Sequence, residues 1–74
     1  MKLYEVPKGT HVQLLETPTI PPVHTELRKD DIIFFDHLDG MYSYCVDKDG
    51  FIVHPAANTE VLIVHNPKNP ISLL

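Results

Sequence analysis

Two short glycine turns divide the middle of the chain into β-rich runs, and their close spacing restricts the fold more than any other feature. Asp39-Gly40 separates residues 31–37 from residues 41–46, and the turn at residues 47–50 separates these from residues 51–54. Asp-Gly pairs favour tight hairpin turns because glycine adopts positive φ without strain. Short runs rich in Ile, Phe, Tyr and Val between such turns are typical of antiparallel strands.

The alternation of side chains predicts which residues of these strands share a face. In residues 10–16, Val12 and Leu14 fall on one face, and we expect both in the core. In residues 41–46 one face carries Tyr42, Tyr44 and Val46, and the other carries Met41, Ser43 and Cys45. Further strands are expected at residues 2–6, as an edge strand, and at residues 59–65. The pattern predicts an all-β fold, either a small antiparallel barrel or a sandwich.

The length and the prolines set the domain organisation. The chain has 74 residues, enough for one domain with a thin core. We place this domain at residues 1–66, with a stiff proline-rich loop at residues 17–25, and assign residues 67–74 to a C-terminal tail. No window has the length and the 3.6-residue spacing of an amphipathic helix.

Composition narrows the class of protein further. With 43% hydrophobic and 22% charged residues, the chain is expected to be globular rather than disordered. The single cysteine, Cys45, excludes an internal disulfide. No apolar run is long enough to span a bilayer, and the first residues lack the apolar core of a secretory signal. We therefore expect a cytoplasmic protein without a membrane partner.

Several segments resemble the SH3 family. Residues 26–33 resemble the family's pattern of a leucine, then Lys-Gly-Asp, then a hydrophobic strand. Residues 41–44 resemble the aromatic start of its next strand, and residues 50–55 resemble its Gly-x-hydrophobic-Pro segment. Residues 60–63 are similar to its closing strand, and residues 3–5 to its opening segment. The resemblance implies a small SH3-like barrel of five to six antiparallel strands. The chain has no tryptophan and lacks the tyrosine that follows the proline, which argues against a groove for proline-rich ligands.

As a whole, the chain is also similar to short, functionally unassigned proteins of marine bacteriophages. That similarity implies a phage setting, in which the protein would be a structural component or a small factor that engages a host protein. It implies no chemistry, because a fold or a family setting does not by itself fix a function.

The five histidines raise the question of a metal site. His37 and His54 are expected on strands that flank residues 41–46, which contain Cys45. A site of two histidines with Cys45, or with Asp36 or Asp39 as an oxygen ligand, fits the ligands that zinc prefers. No C-x-x-C or H-x-x-x-H spacing supports it, and the alternative is histidines at the surface or at the barrel rim.

No motif predicts catalysis. A nucleophilic cysteine needs a lowered pKa and a neighbouring base, whereas the mid-strand position of Cys45 is typical of a buried, inert thiol. Ser43 and Ser72 lie in no nucleophile-elbow pattern, and the glycines are isolated turn residues. Asp47-x-Asp49-Gly50 matches only the start of a calcium loop and is interpreted as a turn. We expect no enzyme activity and no cofactor.

Charge argues against nucleic acid as a partner. Ten acidic and six basic residues give a net charge of −4, whereas nucleic-acid binding depends on lysine and arginine that neutralise phosphates. Seven of the acids lie between residues 26 and 49. If the turns gather at one end of the fold, that end is acidic, and it serves either solubility or the docking of a basic partner.

Two strands carry apolar residues on both faces, which predicts self-association. Residues 32–35 and 61–64 are each an unbroken apolar run, yet only alternate residues of a strand can face the core. We expect a homo-oligomer, most simply a two-fold dimer, and a non-enzymatic protein-interaction or assembly module that can also engage a host or phage protein. The interaction candidates are Ile32, Phe34, Asp36, Asp39, Tyr42 and Tyr44. The alternative is a small metal- or ligand-binding protein that uses His37, His54 and Cys45.

Overall fold

Five strands and one short 3₁₀ helix make up the fold of the residues that the structure describes. A computed structural model describes residues 1–18 and 27–71. The helix spans Leu3–Glu5 and precedes all the strands. The strands, in chain order, are β1 (Thr10–Leu14), β2 (Ile32–Asp39), β3 (Tyr42–Val46), β4 (Ile52–Val53) and β5 (Val61–Ile63).

All five strands belong to one antiparallel sheet in the order β4-β3-β2-β1-β5. The predicted all-β fold of five antiparallel strands is therefore confirmed. The edge strands β4 and β5 do not pair with each other in the described part of the chain, so the sheet is not closed into a barrel. Most of the proline-rich loop predicted at 17–25 falls on residues 19–26, outside the described residues, as does the end of the tail, residues 72–74.

Both glycine turns have the predicted geometry. Gly40 joins β2 to β3 with φ of +62°, and Gly50 lies between β3 and β4 with φ of +87°. At the second turn the Gly50 amide donates to the Asp47 carbonyl oxygen at 3.0 Å, and the Asp47 amide donates to the Phe51 carbonyl oxygen at 2.9 Å. Because successive hairpins turn at opposite ends of β3, these two turns lie at opposite ends of the sheet.

The edge strand predicted at residues 2–6 is wrong, because Leu3–Glu5 forms a 3₁₀ turn. The Glu5 side chain accepts a hydrogen bond from the Lys2 amide at 2.7 Å, and the Glu5 amide donates to the Lys2 carbonyl oxygen at 2.9 Å. This local pair competes with ladder hydrogen bonds. Leu3 and Tyr4 then donate their amides to the carbonyl oxygens of Thr59 and Ala57, which fixes the turn against the connection between β4 and β5.

The core lies on one face of the sheet. The predicted core residues Val12 and Leu14 are fully buried. The same core contains apolar side chains from the segment before β1, from the segment before β2 and from the other four strands: Leu3, Val6, Leu27, Ile33, Phe35, Cys45, Val53 and Val61. Ser43 is buried among these residues, and its hydroxyl donates to the Pro55 carbonyl oxygen at 2.7 Å.

The opposite face of the sheet, called the outer face below, is set by the strand register. Residues directly opposite in an antiparallel pair share a face. Since Phe35 and Cys45 pair on the core side, the outer face carries the neighbouring pairs: Gln13–Ile32, Gln13–Leu62, His11–Phe34, Phe34–Val46, Val46–Ile52, His37–Tyr44 and Asp39–Tyr42. A shift of register between Phe35 and His37 is what brings His37 opposite Tyr44.

Candidate interaction surface

Three aromatic rings lie side by side on the outer face: His37 on β2, Tyr44 on β3 and His54 directly after β4. The Tyr44 ring stacks almost parallel to His37, with centroids 4.9 Å apart and an interplanar angle of 8°. On its other side, His54 meets Tyr44 at an angle of 85°, with centroids 4.6 Å apart. Tyr44 is therefore held between two imidazoles rather than free to rotate.

Each imidazole is itself fixed by a hydrogen bond from Nδ1. His37 Nδ1 donates to Asp36 Oδ2 at 2.5 Å, and His54 Nδ1 donates to the Ser43 carbonyl oxygen at 3.0 Å. These bonds engage Nδ1 of both rings. Because both ring positions are set by the chain itself, a partner that binds here meets a surface that is already ordered.

The same end of the outer face is exposed and carries negative charge. Tyr42 is 46% exposed and Tyr44 is 37% exposed. Asp39 is opposite Tyr42 in the register, and Asp36 is bonded to His37, so both carboxylates border the rings. Within residues 1–18 and 27–71, neither carboxylate forms an ion pair with a lysine or arginine. We call this surface the open end; its residues are Asp36, His37, Asp39, Tyr42, Tyr44 and His54.

A shallow apolar hollow of about 390 Å³ adjoins the open end. It is lined by Tyr4, Met41, Tyr42, Ala56, Ala57 and Asn58. The Ala57 amide donates to the Met41 carbonyl oxygen at 2.8 Å, and the Tyr4 amide donates to the Ala57 carbonyl oxygen at 3.0 Å. Backbone hydrogen bonds therefore fix the segments that line the hollow, and Tyr42 belongs both to the hollow and to the open end.

The C-terminal tail is attached to β1 near the other end of the outer face. Its Ile71 amide donates to His11 Nε2 at 2.9 Å. Together with Ile32 and Lys48, tail residues Asn66–Asn69 and Ile71 line a groove of about 510 Å³. Val46 faces outward in the register but is only 2% exposed, Phe34 is half-buried, and Ile32 is 38% exposed. We call the surface of Ile32, Phe34 and Val46 the tail-side end.

The predicted metal-ligand set is not brought together. Cys45 is fully buried on the core face, where its sulfur lies 3.3 Å from the Ser43 hydroxyl. His37 and His54 lie on the outer face, on opposite sides of the Tyr44 ring. The described residues contain no group of three or more His, Cys, Asp or Glu side chains that could hold a metal ion.

Cys45 has the environment of an inert thiol. Its burial raises the pKa of the thiol to about 11, partly offset by the hydrogen bond with Ser43. A thiol with so high a pKa is almost entirely protonated at neutral pH and is a poor nucleophile. Cys45 is a core residue of the sheet.

The acidic residues do not gather at one end, because the two glycine turns lie at opposite ends of β3. Asp36 and Asp39 border the open end, whereas Asp31, Asp47 and Asp49 line a separate cavity of about 250 Å³. Arg28 and Lys48 line that same cavity, so its charge is mixed. The condition for a single acidic end, turns gathered at one end of the fold, is therefore not met.

The six interaction candidates separate into two groups. Asp36, Asp39, Tyr42 and Tyr44 meet at the open end, whereas Ile32 and Phe34 lie at the tail-side end, Ile32 in the groove that the tail lines and Phe34 against His11. Sequence reasoning placed His37 and His54 on the strands that flank β3 but missed their contacts with the Tyr44 ring, and it missed His11 as the attachment of the tail. A hairpin across the turn at residues 47–50, with side chains alternating along both strands, could have placed His54 opposite Tyr44. No local signal places His37 beside Tyr44.

Comparison of the chain with protein-family models, with curated proteins and with solved structures finds no match. Among the described residues there is no helix with the length and hydropathy needed to cross a membrane. The resemblances to SH3 domains and to phage proteins therefore stay predictions from sequence.

Proposed function

We propose that this protein is a non-enzymatic protein-interaction or assembly module that binds its partner through the open end. The observation that carries the proposal is the exposed Tyr44 ring, held between His37 and His54. Tyrosine is enriched among the residues that dominate binding energies, because it buries a large area at a small cost in conformational entropy. Here the flanking imidazoles reduce that cost further.

The chemistry of the open end favours a partner with a basic, planar group. Asp36 and Asp39 supply two carboxylates beside three aromatic rings. A guanidinium group stacks on aromatic faces and forms paired hydrogen bonds with carboxylates, so an arginine-bearing segment complements this surface better than a lysine. The adjoining hollow beside Tyr4 and Met41 would hold an apolar side chain of the same segment.

A second copy of the chain is the other proposed partner. Large apolar side chains are exposed along the outer face and at the edge strand: Ile32, Tyr42, Tyr44, Phe51, Ile52 and Leu62. Contiguous apolar surface on a small protein is typical of an interaction site. Because Val46 is buried and Phe34 is half-buried, self-association would use the β3–β4 side of the sheet rather than the whole of β2. The phage resemblance supports an assembly role of this kind.

The test separates these partners. Wild-type protein and Tyr44→Ala are compared by size-exclusion chromatography with light scattering, diluted to about 1 μM, a concentration that corresponds to a binding free energy of about −8 kcal/mol. Leu62→Ala is the matched control, since Leu62 is also an exposed apolar side chain but lies on β5, away from the open end. We expect Tyr44→Ala, and not Leu62→Ala, to weaken the association.

If wild-type protein is a monomer of 8.4 kDa throughout, the partner is a different protein, and affinity capture from a host lysate becomes the test. The Tyr44→Ala and Asp36→Asn variants should then each lose the captured protein that wild type and Leu62→Ala retain. Capture that is equal for all four proteins contradicts the open end as the binding surface.

A further inference from the structure

The ladder between β3 and β4 continues in one register beyond the two residues of β4. Val53 is opposite Cys45 within the strands, and Ala56 forms a further antiparallel bridge to Tyr42 in the same register. Backbone hydrogen bonds extend this ladder on both sides of β4: from the amides of Asp47, Ser43 and Ala57 to the carbonyl oxygens of Phe51, Pro55 and Met41. Residues 51–56 therefore form one extended segment at the margin of the sheet, called the β4 edge below.

Two residues of the β4 edge direct their backbone groups away from the sheet. In an antiparallel pair, residues that exchange hydrogen bonds alternate with residues that do not. Because Phe51 and Pro55 are bonded to β3, the N–H and C=O groups of Ile52 and His54 point outward. Among residues 1–18 and 27–71, no backbone group pairs with them. The N–H that Pro55 lacks belongs to a position that faces β3, so the proline does not interrupt this outward row.

The other margin of the sheet is occupied and charged. Lys2 forms an antiparallel bridge to Glu60 beside β5, and its ammonium group lies 2.8 Å from the Glu60 carboxylate. Covering segments and charged side chains are the usual protection of an edge strand against pairing with another chain. The β4 edge has no such charge, because residues 51–56 contain no Asp, Glu, Lys or Arg. Its Phe51 and Ile52 side chains are 54% and 49% exposed.

From this geometry we propose that the β4 edge pairs with the β4 edge of a second copy, antiparallel about a two-fold axis beside Val53. The two sheets then join into one. In this register Ile52 of each copy lies opposite His54 of the other, so that the outward N–H and C=O groups of both residues are paired. Pairing Ile52 with Ile52 instead would place His54 opposite Gly50, a turn residue, and would leave part of the row unpaired.

Charge favours a second copy as the occupant. The chain carries a net charge of −4, so two copies repel wherever their acidic groups meet. The β4 edge is an uncharged strip, and antiparallel pairing places the acidic turns at residues 47–50 of the two copies at opposite ends of the joint ladder. On the outer face, Ile52 of one copy contacts His54 of the other, the ring that flanks Tyr44. Edge pairing rests on the assembly role proposed above and adds the partner and its geometry.

The first test measures amide exchange with solvent by NMR on the wild-type protein at about 20 μM and about 500 μM. The monomer fraction of a dimer falls at most with the square root of concentration, so the protection of the Ile52 and His54 amides should rise by about threefold to fivefold. The Val53 amide is the internal control, because it faces β3 in the monomer and in the dimer. Protection of Ile52 and His54 that is the same at both concentrations overturns the proposal.

The second test removes one outward N–H. Ile52→Pro deletes a donor that β3 does not use, and proline is tolerated in edge strands where the N–H faces solvent. Ile52→Val is the matched control, because it keeps the amide and the β-branched side chain. By light scattering from about 200 μM to about 1 μM, wild type and Ile52→Val should exceed the monomer mass of 8.4 kDa at the higher concentrations, and Ile52→Pro should not. If Ile52→Pro fails to fold, the exchange measurement on wild type decides.

Comparison with Tyr44→Ala separates edge pairing from binding by the open end. Loss of the dimer in Ile52→Pro but not in Tyr44→Ala supports edge pairing and removes the open end as the surface of self-association. Loss in Tyr44→Ala but not in Ile52→Pro overturns edge pairing and leaves the open end in place. Wild-type protein that is monomeric throughout also overturns edge pairing, whereas the open end is then tested by the capture of a different protein.

Discussion

The Ser43 hydroxyl donates a hydrogen bond of 2.7 Å to the Pro55 carbonyl oxygen, and this buried bond ties β3 to the residue where the β4 segment ends. Proline has no amide with which to continue the ladder, so its carbonyl oxygen is the only backbone group by which this position can be fixed. The Ser43 amide donates to the same oxygen at 3.0 Å. Pro55 therefore lies just beyond the end of β4 and is still hydrogen-bonded to β3.

The first prediction follows from this pair. Ser43→Ala removes the hydroxyl and leaves the Pro55 oxygen with one donor instead of two. We expect the free energy of unfolding to fall by about 1 kcal/mol, the usual net worth of one hydrogen bond. Urea unfolding measures the change, with Asn58→Ala as the control at an exposed position of the same connection. Equal midpoints for Ser43→Ala and wild type would show that the bond contributes nothing net.

The second prediction concerns the glycine turns. An added Cβ at Gly40 or Gly50 would meet no atom within 4 Å, so the cost of a substitution there is the cost of positive φ alone. We expect Gly40→Val and Gly50→Val each to destabilise the fold by about 1 kcal/mol or more, because β-branched residues resist this conformation. Gly40→Asn and Gly50→Asn should cost less, since asparagine tolerates positive φ. Asparagine and valine variants of equal stability would contradict the conformational explanation.

The third prediction concerns Asp47, which is only 3% exposed. Its Oδ1 accepts hydrogen bonds from the Asp49 and Phe51 amides, both at 2.9 Å, whereas Oδ2 has no partner among the described residues. Asp47→Ala leaves both amides without their acceptor and should cost about 1–3 kcal/mol. Asp47→Asn keeps that acceptor and removes a buried charge, so it should cost clearly less. The order is checked by urea unfolding, and an asparagine variant as unstable as the alanine variant would mean that the charge itself is needed.

The fourth prediction concerns pH and Cys45. Burial raises the pKa of the Cys45 thiol to about 11 in the folded protein. At a pH below the ordinary pKa of a thiol, the folded and the unfolded protein both keep the proton on Cys45, and the free energy of unfolding does not depend on this group. As the pH rises through that value only the unfolded chain loses its proton, so stability falls progressively up to about pH 11, by an amount on the order of 2 kcal/mol.

Cys45→Ala is the control for the alkaline decline, because it carries no titrating group at this position. Its stability should be lower than that of wild type near neutral pH but should fall less steeply above pH of about 8.5. In addition, a thiol reagent should modify wild-type Cys45 only after unfolding. Fast modification of the folded protein would contradict the burial of the thiol.

The fifth prediction concerns zinc. Because His37 and His54 lie on opposite sides of Tyr44 and Cys45 faces the core, we expect equimolar zinc to leave the melting temperature unchanged. Zinc ligands must surround one ion at about 2.0–2.3 Å, which this arrangement does not permit. A rise in melting temperature that His37→Gln or His54→Gln abolishes would show that the rings rearrange around a metal.

The strands were predictable from sequence because their signals are local. Gly40 and Gly50 lie at the positions where hairpins need positive φ, and the alternation of Val12 with Leu14 placed both in the core. The 3₁₀ helix at Leu3–Glu5 was missed, although its cause is also local: a Glu5 side chain that accepts the Lys2 amide. Period-two alternation alone does not distinguish such a turn from a short edge strand.

The candidate site was less predictable because it depends on register between strands. The shift between Phe35 and His37 involves no glycine or proline, so no residue type marks it, yet it determines that His37 lies beside Tyr44. The position of the tail was unpredictable for a similar reason. The Ile71 amide and His11 are 60 positions apart, and only the folded sheet brings them together.

The Met1 ammonium group donates to the Val61 carbonyl oxygen at 3.1 Å, across 60 positions of sequence, and residues 12–14 of β1 pair with β5. Folding must therefore close a long loop before the ladder between β1 and β5 contributes any stability. Topologies dominated by such distant pairings fold in milliseconds to seconds rather than microseconds, and we expect this chain to fold on the slower of these time scales. Until β5 is in place, the apolar residues of β1 lack one of their two neighbouring strands.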